Sequence, residues 1–110
     1  MELGCDTNVG FPGPDRELEK LIRELLAEDY GTWEDAVTVV PMDKPSRRER
    51  QRAPRFLSYR WYVEFYPDET TASIEQAVST VARLVRGFKL HGYDAVPACD
   101  YEDQIAAELS

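Results

Sequence analysis

The stretch RFLSYRWYVEFYP, residues 55–67, decides the fold because its side chains alternate in character along the chain. Large apolar side chains fall on one face, at Leu57, Tyr59, Trp61, Val63 and Phe65. The residues between them fall on the other face: Phe56, Ser58, Arg60, Tyr62, Glu64 and Tyr66. An apolar period of two predicts a strand with one buried face, and Pro67 ends it.

The segment that follows has the period of an amphipathic helix. Its apolar side chains recur every three or four residues, at Ile74, Val78, Val81, Val85 and Phe88. Thr70 or Thr71 is suited to cap a helix over residues 71–91, and Gly92 is suited to terminate it. We expect this apolar seam to pack against the buried face of the preceding strand.

The N-terminal half also places a strand before a helix. Residues 2–9 alternate in polarity, and GFPGPD at residues 10–15 breaks the chain before the next element. A helix is predicted over residues 15–29, with one apolar stripe at Leu18, Leu21, Ile22, Leu25 and Leu26. DAVTVVP, residues 35–41, is rich in β-branched residues and predicts a second strand.

The C-terminal part predicts a last strand and a short helix. YDAVPA, residues 93–98, contains Pro97, which has no amide hydrogen for a sheet and therefore places this strand at an edge. The acidic tail, residues 99–110, suits one or two helical turns. The order (β)αββαβ predicts an α+β, ferredoxin-like two-layer sandwich, in which two helices cover one face of an antiparallel sheet.

Length and charge indicate the number of domains and the kind of partner. The chain has 110 residues, which indicates a single domain over 1–110, and a formal net charge of −8. This charge makes nucleic acid an unlikely partner and favours a cationic one. No segment has the apolar length of a membrane span, and the first residues do not resemble a signal peptide. We therefore expect a cytoplasmic protein with reduced cysteines, as a monomer or a homodimer.

The connecting loop at residues 42–54 is rich in arginine, although the chain as a whole has a negative net charge. Four of its arginines form a candidate second contact surface: Arg47, Arg48, Arg50 and Arg52. Arginine clusters suit phosphate oxygens and are also common in protein interfaces. A solvated loop, or one that folds onto the protein's own carboxylates, explains the same composition.

The outward face of the aromatic strand is a second candidate surface. It carries Arg60, Tyr62 and Tyr66, and aromatic side chains on an open sheet can stack on bases. The glycine-aromatic pattern of RNA-recognition modules is absent from this strand. Packing in a core or in a dimer is the more frequent explanation for such tyrosines.

The tail concentrates carboxylates beside Cys99. Asp100, Tyr101, Glu102 and Asp103 form the main candidate surface for a partner. Their spacing lacks the twelve-residue pattern of a calcium loop, and the chain has too few cysteines and histidines for a zinc site. We find no assembled catalytic residues and predict no metal, no cofactor and no enzymatic activity.

Residues 61–105 resemble the small acidic immunity proteins encoded beside bacterial polymorphic or contact-dependent toxins. The resemblance rests on an aromatic strand, a long amphipathic helix and a short strand that ends in ACDYED. It implies a stoichiometric inhibitor of one cognate toxin. The expected partner is that toxin or another cationic protein, because an acidic surface attracts a basic cleft.

Two other functions remain open from the sequence. The first is a small dimeric ferredoxin-like enzyme or ligand-binding protein, with a pocket lined by Tyr59, Trp61 and His91. The second is a nucleic-acid-associated regulator that uses the Arg-rich loop.

Overall fold

The computed structural model describes residues 2–41 and 61–110. Within these ranges four strands form one sheet: β1 (Cys5–Val9), β2 (Val37–Pro41), β3 (Trp61–Phe65) and β4 (Ala95–Ala98). Their order across the sheet is β2-β3-β1-β4, and every neighbouring pair is antiparallel. The α+β class with an antiparallel sheet is confirmed. The Arg-rich loop and the predicted strand residues 55–60 lie outside the described residues.

The three predicted helices are present with shifted ends, and a short additional helix, which the sequence did not predict, follows the first. They are α1 (Asp15–Leu26), α2 (Tyr30–Trp33), α3 (Ile74–Leu90) and α4 (Glu102–Leu109), with a 3-10 turn at Ala27–Asp29 between α1 and α2. None of the helices in the described ranges is both long and apolar enough to cross a membrane.

One face of the sheet is buried under α1 and α3. In β1 the buried side chains are Cys5, Thr7 and Val9, and the half-buried ones between them point to the opposite face. The register places Val63 opposite Thr7 and Val39 opposite Val63, so the same face continues across three strands. This alternation is what the period of two predicted for β3, where Val63 and Phe65 are buried.

Helix α3 contributes the largest share of the core. Its predicted seam is buried from Val78 onward, with Val81 1% exposed and Val85 and Phe88 fully buried, whereas Ile74 is half-buried. Gly87 lies on the same helix against the side chain of Leu25, and a Cβ at this position would overlap that side chain. The glycine therefore allows α1 and α3 to approach closely.

The start of α3 differs from the prediction. Ser73, not Thr70 or Thr71, is the N-cap: its hydroxyl accepts a bond from the Gln76 amide at 3.1 Å, and the Gln76 side chain accepts one from the Ser73 amide at 2.9 Å. This capping box satisfies two amides that the first turn would otherwise leave unpaired. At the other end Gly92 has a φ of +86°, as expected for a residue that terminates a helix.

The first helix is shorter than predicted. α1 ends at Leu26 because Ala27 adopts a φ of 50° and a ψ of −121°, which no helical residue has. The chain then turns through the 3-10 segment into α2, where a loop was expected after Tyr30. An apolar stripe indicates the buried face of a helix but contains no signal for this backbone reversal.

Strand β4 lies at an edge of the sheet, as Pro97 predicted. Pro97 stands opposite Thr7 in β1, which is the neighbour of β4 on one side. At an edge a missing amide hydrogen is tolerated, because a central strand would need it to bond a second neighbour.

Replacement of Val81 by Asp should destabilise the protein by about 3–5 kcal/mol, because it places an unpaired carboxylate in the core. Ser79→Asp, on the exposed side of the same helix, is the matched control and should cost far less. Urea denaturation measures both. Equal stability of the Val81 variant and the wild type would refute the placement of α3.

Replacement of Ala27 by Gly should raise stability by about 1 kcal/mol, because glycine adopts a positive φ without the steric cost that a Cβ imposes. The control is Ala106→Gly in α4, where the same change should lower stability by about 0.5–1 kcal/mol. Thermal unfolding of both variants checks the contrast. A loss of stability in both would contradict the backbone assigned to Ala27.

Candidate functional site

Negative charge dominates the surface that the structure describes. Residues 2–41 and 61–110 hold 19 of the 21 acidic residues and 6 of the 13 basic ones. Within these ranges the one salt bridge joins Arg83 to Asp29 at 2.8 Å, between two exposed side chains. Most carboxylates therefore face water without a cationic neighbour from the described part of the chain.

Five carboxylates gather where β1 begins and β3 and β4 end. We call this group the acidic end: Glu2, Asp6, Glu64, Glu69 and Asp100. Asp100 Oδ2 accepts a hydrogen bond from the Glu2 amide at 3.2 Å, and Glu69 Oε1 accepts one from the Leu3 amide at 3.5 Å. Side chains from two distant segments are thereby fixed around the first residues of the chain.

Two members of the acidic end stand directly opposite each other. Asp6 in β1 pairs with Glu64 in β3, on the face of the sheet away from α1 and α3. Like charges in this position are destabilising, by about 0.2–1 kcal/mol relative to a neutral pair. The fold tolerates this repulsion on an open face, where an added cationic group would relieve it.

Tyr66 lies at the border of the acidic end. Its hydroxyl donates a hydrogen bond to Asp6 Oδ1 at 3.2 Å, and its ring covers Gly4 so closely that a Cβ there would overlap it. Burial raises the pKa of the Tyr66 phenol, and the Asp6 carboxylate raises it further. The side chain is still 48% exposed, so the sequence-predicted contact residue remains accessible.

The tail is divided between surface and core. Asp100, Glu102 and Asp103 are exposed, and Glu102 Oε1 accepts a bond from the Cys99 amide at 2.9 Å. Tyr101, predicted among the contact residues, is instead 1% exposed, and its hydroxyl donates to the Leu3 carbonyl at 2.7 Å. A side chain in the core does not contact a partner, so Tyr101 holds the tail in place.

The acidic end continues into a cleft beside Trp33. The cleft has a volume of about 520 Å³, and Tyr66 and Asp68 line it together with residues of the turn after α2. Its further lining residues are Thr32, Trp33, Asp35, Ala36, Pro67, Thr71 and Gln76. The indole of Trp33 is half-buried and meets Phe65 edge-on, with 5.4 Å between ring centroids. We call this depression the Trp33 cleft.

Carboxylates also mark the walls of this region. Asp35 and Asp68 line the Trp33 cleft, and Asp29 and Glu75 line an adjoining depression of about 410 Å³ that shares Trp33. Hydrogen bonds from the Thr70 backbone and hydroxyl lower the pKa of Asp68. No lysine or arginine of the described ranges lines either depression. The arrangement suits a partner segment in which a basic side chain stands next to an apolar or aromatic one.

Other sequence-predicted residues lie apart from this surface. Tyr62 is half-buried on the open face of the sheet, opposite Asn8 and Val40. Arg60 and the loop arginines, Arg47, Arg48, Arg50 and Arg52, lie outside the described residues. Three segments that are remote in sequence thus bring Tyr66 and Asp100, but not Tyr62, to one end of the sheet.

The pocket suggested for a ligand-binding protein does not form from the described residues. Trp61 donates its indole hydrogen to the Gly13 carbonyl at 3.0 Å. His91 lines a different cleft of about 240 Å³, with Phe11 and Tyr93 among its neighbours. Tyr59 lies outside the described residues, and Trp61 is not part of the His91 cleft. In the same ranges, no three side chains among the histidines, cysteines and carboxylates are grouped as metal ligands.

The Trp33 cleft could not be found from the sequence. The local signal was Trp33 followed by Glu34 and Asp35, an aromatic residue beside two carboxylates. That signal is common on protein surfaces, and the facing wall comes from residues 66–76, more than thirty positions away.

Comparison with known proteins gave no match: no family model fits the chain, and no curated sequence and no solved structure shows significant similarity to it.

Replacement of Glu64 by Gln should raise the free energy of unfolding by about 0.2–1 kcal/mol at low salt, because it removes the like charge opposite Asp6. The gain should shrink in 1 M salt, where a Debye length of about 3 Å screens the pair. Glu28→Gln, an exposed position after α1, is the control for the general effect of one charge fewer. Equal gains in both variants would show that the pair is not repulsive.

Proposed function

We propose that this chain is a stoichiometric protein-binding inhibitor, an immunity protein that neutralises a cognate bacterial toxin in the cytoplasm. The protein has no catalytic role in this proposal and needs no cofactor. Its partner is the toxin, a protein with a basic binding surface. The sequence resemblance over residues 61–105 motivates the choice, and the acidic surface supports it.

The observation that carries the proposal is the continuous run of carboxylates from the Trp33 cleft to the tail. Asp68 in the cleft and Glu69 in the acidic end are neighbours in sequence, and Glu69 reaches the Leu3 amide. Asp100 reaches the Glu2 amide from the other side. A surface of one sign attracts a surface of the opposite sign over several ångströms and orients it before contact.

The Trp33 cleft would supply the affinity that charge alone does not. Interfaces derive most of their binding energy from a few aromatic or arginine side chains in desolvated pockets, surrounded by weaker polar contacts. Trp33 is already held against Phe65, so little conformational entropy is lost when a partner covers it. The exposed carboxylates would then act as the rim that sets the association rate.

The proposal includes the ferredoxin-like arrangement of the sheet. The order β2-β3-β1-β4 supports it, because β3 separates β1 from β2 and β1 separates β3 from β4, as in a split βαβ unit. Asp6, Tyr62 and Glu64 lie on the face of the sheet away from α1 and α3. Because this open face suits either water or a second copy of the chain, we propose a monomer or a homodimer.

The direct test uses the gene next to the one that encodes this chain. Its product should arrest the growth of a host when expressed alone, and co-expression of this chain should restore growth. The two proteins should co-purify in equal amounts. A neighbour that is harmless, or whose toxicity this chain does not relieve, would contradict the proposed function.

Charge-matched variants then locate the contact. Each variant neutralises three carboxylates. The tail variant carries Asp100→Asn, Glu102→Gln and Asp103→Asn. The cleft variant carries Asp35→Asn, Asp68→Asn and Glu75→Gln. The control carries Glu19→Gln, Glu24→Gln and Glu28→Gln on exposed positions in and after α1.

The tail and cleft variants should associate with the toxin roughly tenfold more slowly than the control at low salt, and their rates should depend less on salt. Stopped-flow tryptophan fluorescence, to which Trp33 and Trp61 both contribute, measures the rates, with circular dichroism as the check on folding. Equal rates for all three variants would remove the carboxylates of the tail and of the Trp33 cleft from the interface.

A further inference from the structure

The two cysteines, 94 positions apart in sequence, meet across the edge of the sheet. The pairing of β1 with β4 runs from Val9 opposite Ala95 to Asp6 opposite Ala98. One step further along the same register places Cys5 opposite Cys99. Cys5 points to the core face, as Thr7 and Val9 do, and Cys99 packs against the same core.

The hydrogen-bond pattern fixes the kind of pair. The Gly10 amide donates to the Asp94 carbonyl at 2.8 Å, so this pair is a hydrogen-bonded one. Bonded and non-bonded pairs alternate along antiparallel strands, which makes Cys5–Cys99 a non-bonded pair. The Cys99 amide agrees, because it donates to Glu102 Oε1 at 2.9 Å instead of to β1.

This position has the spacing that a disulfide requires. The Cα atoms of a non-bonded pair are about 4.5 Å apart, and disulfides join Cα atoms about 4.4–6.8 Å apart. The two thiols are close enough for each to shift the pKa of the other. The Tyr101 hydroxyl lies beside both thiols and is held by the Leu3 carbonyl. Both cysteines are free in this structure.

We propose that Cys5 and Cys99 are a modification site, at which a hydroperoxide oxidises the two thiols to a reversible disulfide between β1 and the end of β4. Cys99 is the attacking thiol because it is half-buried, whereas Cys5 is 1% exposed and resolves the intermediate. The site is independent of the proposed toxin.

The chemistry is balanced with hydrogen peroxide as the oxidant. The Cys99 thiolate attacks one peroxide oxygen, an S–O bond forms, the O–O bond breaks, and the departing hydroxide takes up a proton as water. Cys5, on losing its proton, then attacks the Cys99 sulfur; the S–S bond forms and the S–O bond breaks, with release of a second water. Two thiols and one peroxide thus give one disulfide and two waters.

The surroundings of the pair set its rate. Burial raises the pKa of the Cys5 thiol, and the neighbouring Cys99 raises it further. Burial also raises the pKa of the Cys99 thiol, whereas hydrogen bonds lower it. Because the thiolate is the reactive form, oxidation should be slow at neutral pH and accelerate as the pH rises towards the pKa of Cys99. The site therefore responds to sustained oxidation and not to brief exposure.

The folded, full-length protein is treated with hydrogen peroxide, and remaining thiols are blocked with iodoacetamide. Trypsin then releases residues 1–16 and 90–110, each with one cysteine. We expect these two peptides to be linked in the monomer, with the loss of two hydrogen atoms, and dithiothreitol to separate them. The oxidised protein should also unfold at higher urea, because the bond closes a loop of nearly the whole chain.

Single variants assign the two roles. Cys5→Ser should leave Cys99 as a sulfenic acid that dimedone labels, whereas Cys99→Ser should slow oxidation of Cys5 at least tenfold. Circular dichroism checks that each variant is folded, and Cys99→Ala is the second variant if the serine disturbs β4. Only intermolecular dimers, or sulfinic acid at Cys99 without linked peptides, would overturn the proposal. Oxidation of Cys5 at an unchanged rate in the Cys99→Ser variant would overturn the order of attack.

Discussion

The central position of β1 is the constraint on which the rest of the structure depends. This five-residue strand pairs with β3 on one side and β4 on the other, and its buried face packs under α3. Its partners lie more than fifty residues away in sequence, so β1 has no stable position until the C-terminal half is present. Because the paired strands are far apart in sequence, local interactions in the unfolded chain do little to bring them together. The two halves of the chain therefore fold cooperatively.

The same pairing determines where the charges lie. Because β1 starts where β3 and β4 end, carboxylates from the first residues, from the turn after β3 and from the tail meet at one end of the sheet. Asp6 opposite Glu64 costs stability, and nothing in the packing of the core requires either charge. Departures from local consistency of this kind are characteristic of functional surfaces.

Tyr101 joins this surface to the core. Its hydroxyl bonds to the Leu3 carbonyl and its ring is buried in the core, so α4 starts from a fixed point. The exposed carboxylates on either side of Tyr101 are therefore also held in place. A tail with the same charge but without this anchor would lose entropy on binding, whereas the anchored tail is already ordered.

Periodicity in the sequence determined the elements and their buried faces. The alternation at Trp61, Val63 and Phe65 and the seam of α3 identify which side chains enter the core, because burial follows directly from apolar spacing. Pro97 determined the edge position of β4, since a missing amide hydrogen is a local property. Composition alone determined the acidic balance of the chain.

Tertiary structure decided which distant residues meet. The end of α1 at Ala27, the burial of Tyr101 and the cleft beside Trp33 depend on contacts with segments that the local sequence does not identify. Cys5 and Cys99 show the same limit: each lies in or beside a predictable strand, but only the register of β1 with β4 places them opposite each other. A register shift of one residue would turn every side chain of a strand to the other face, and this choice is made by the packed core as a whole.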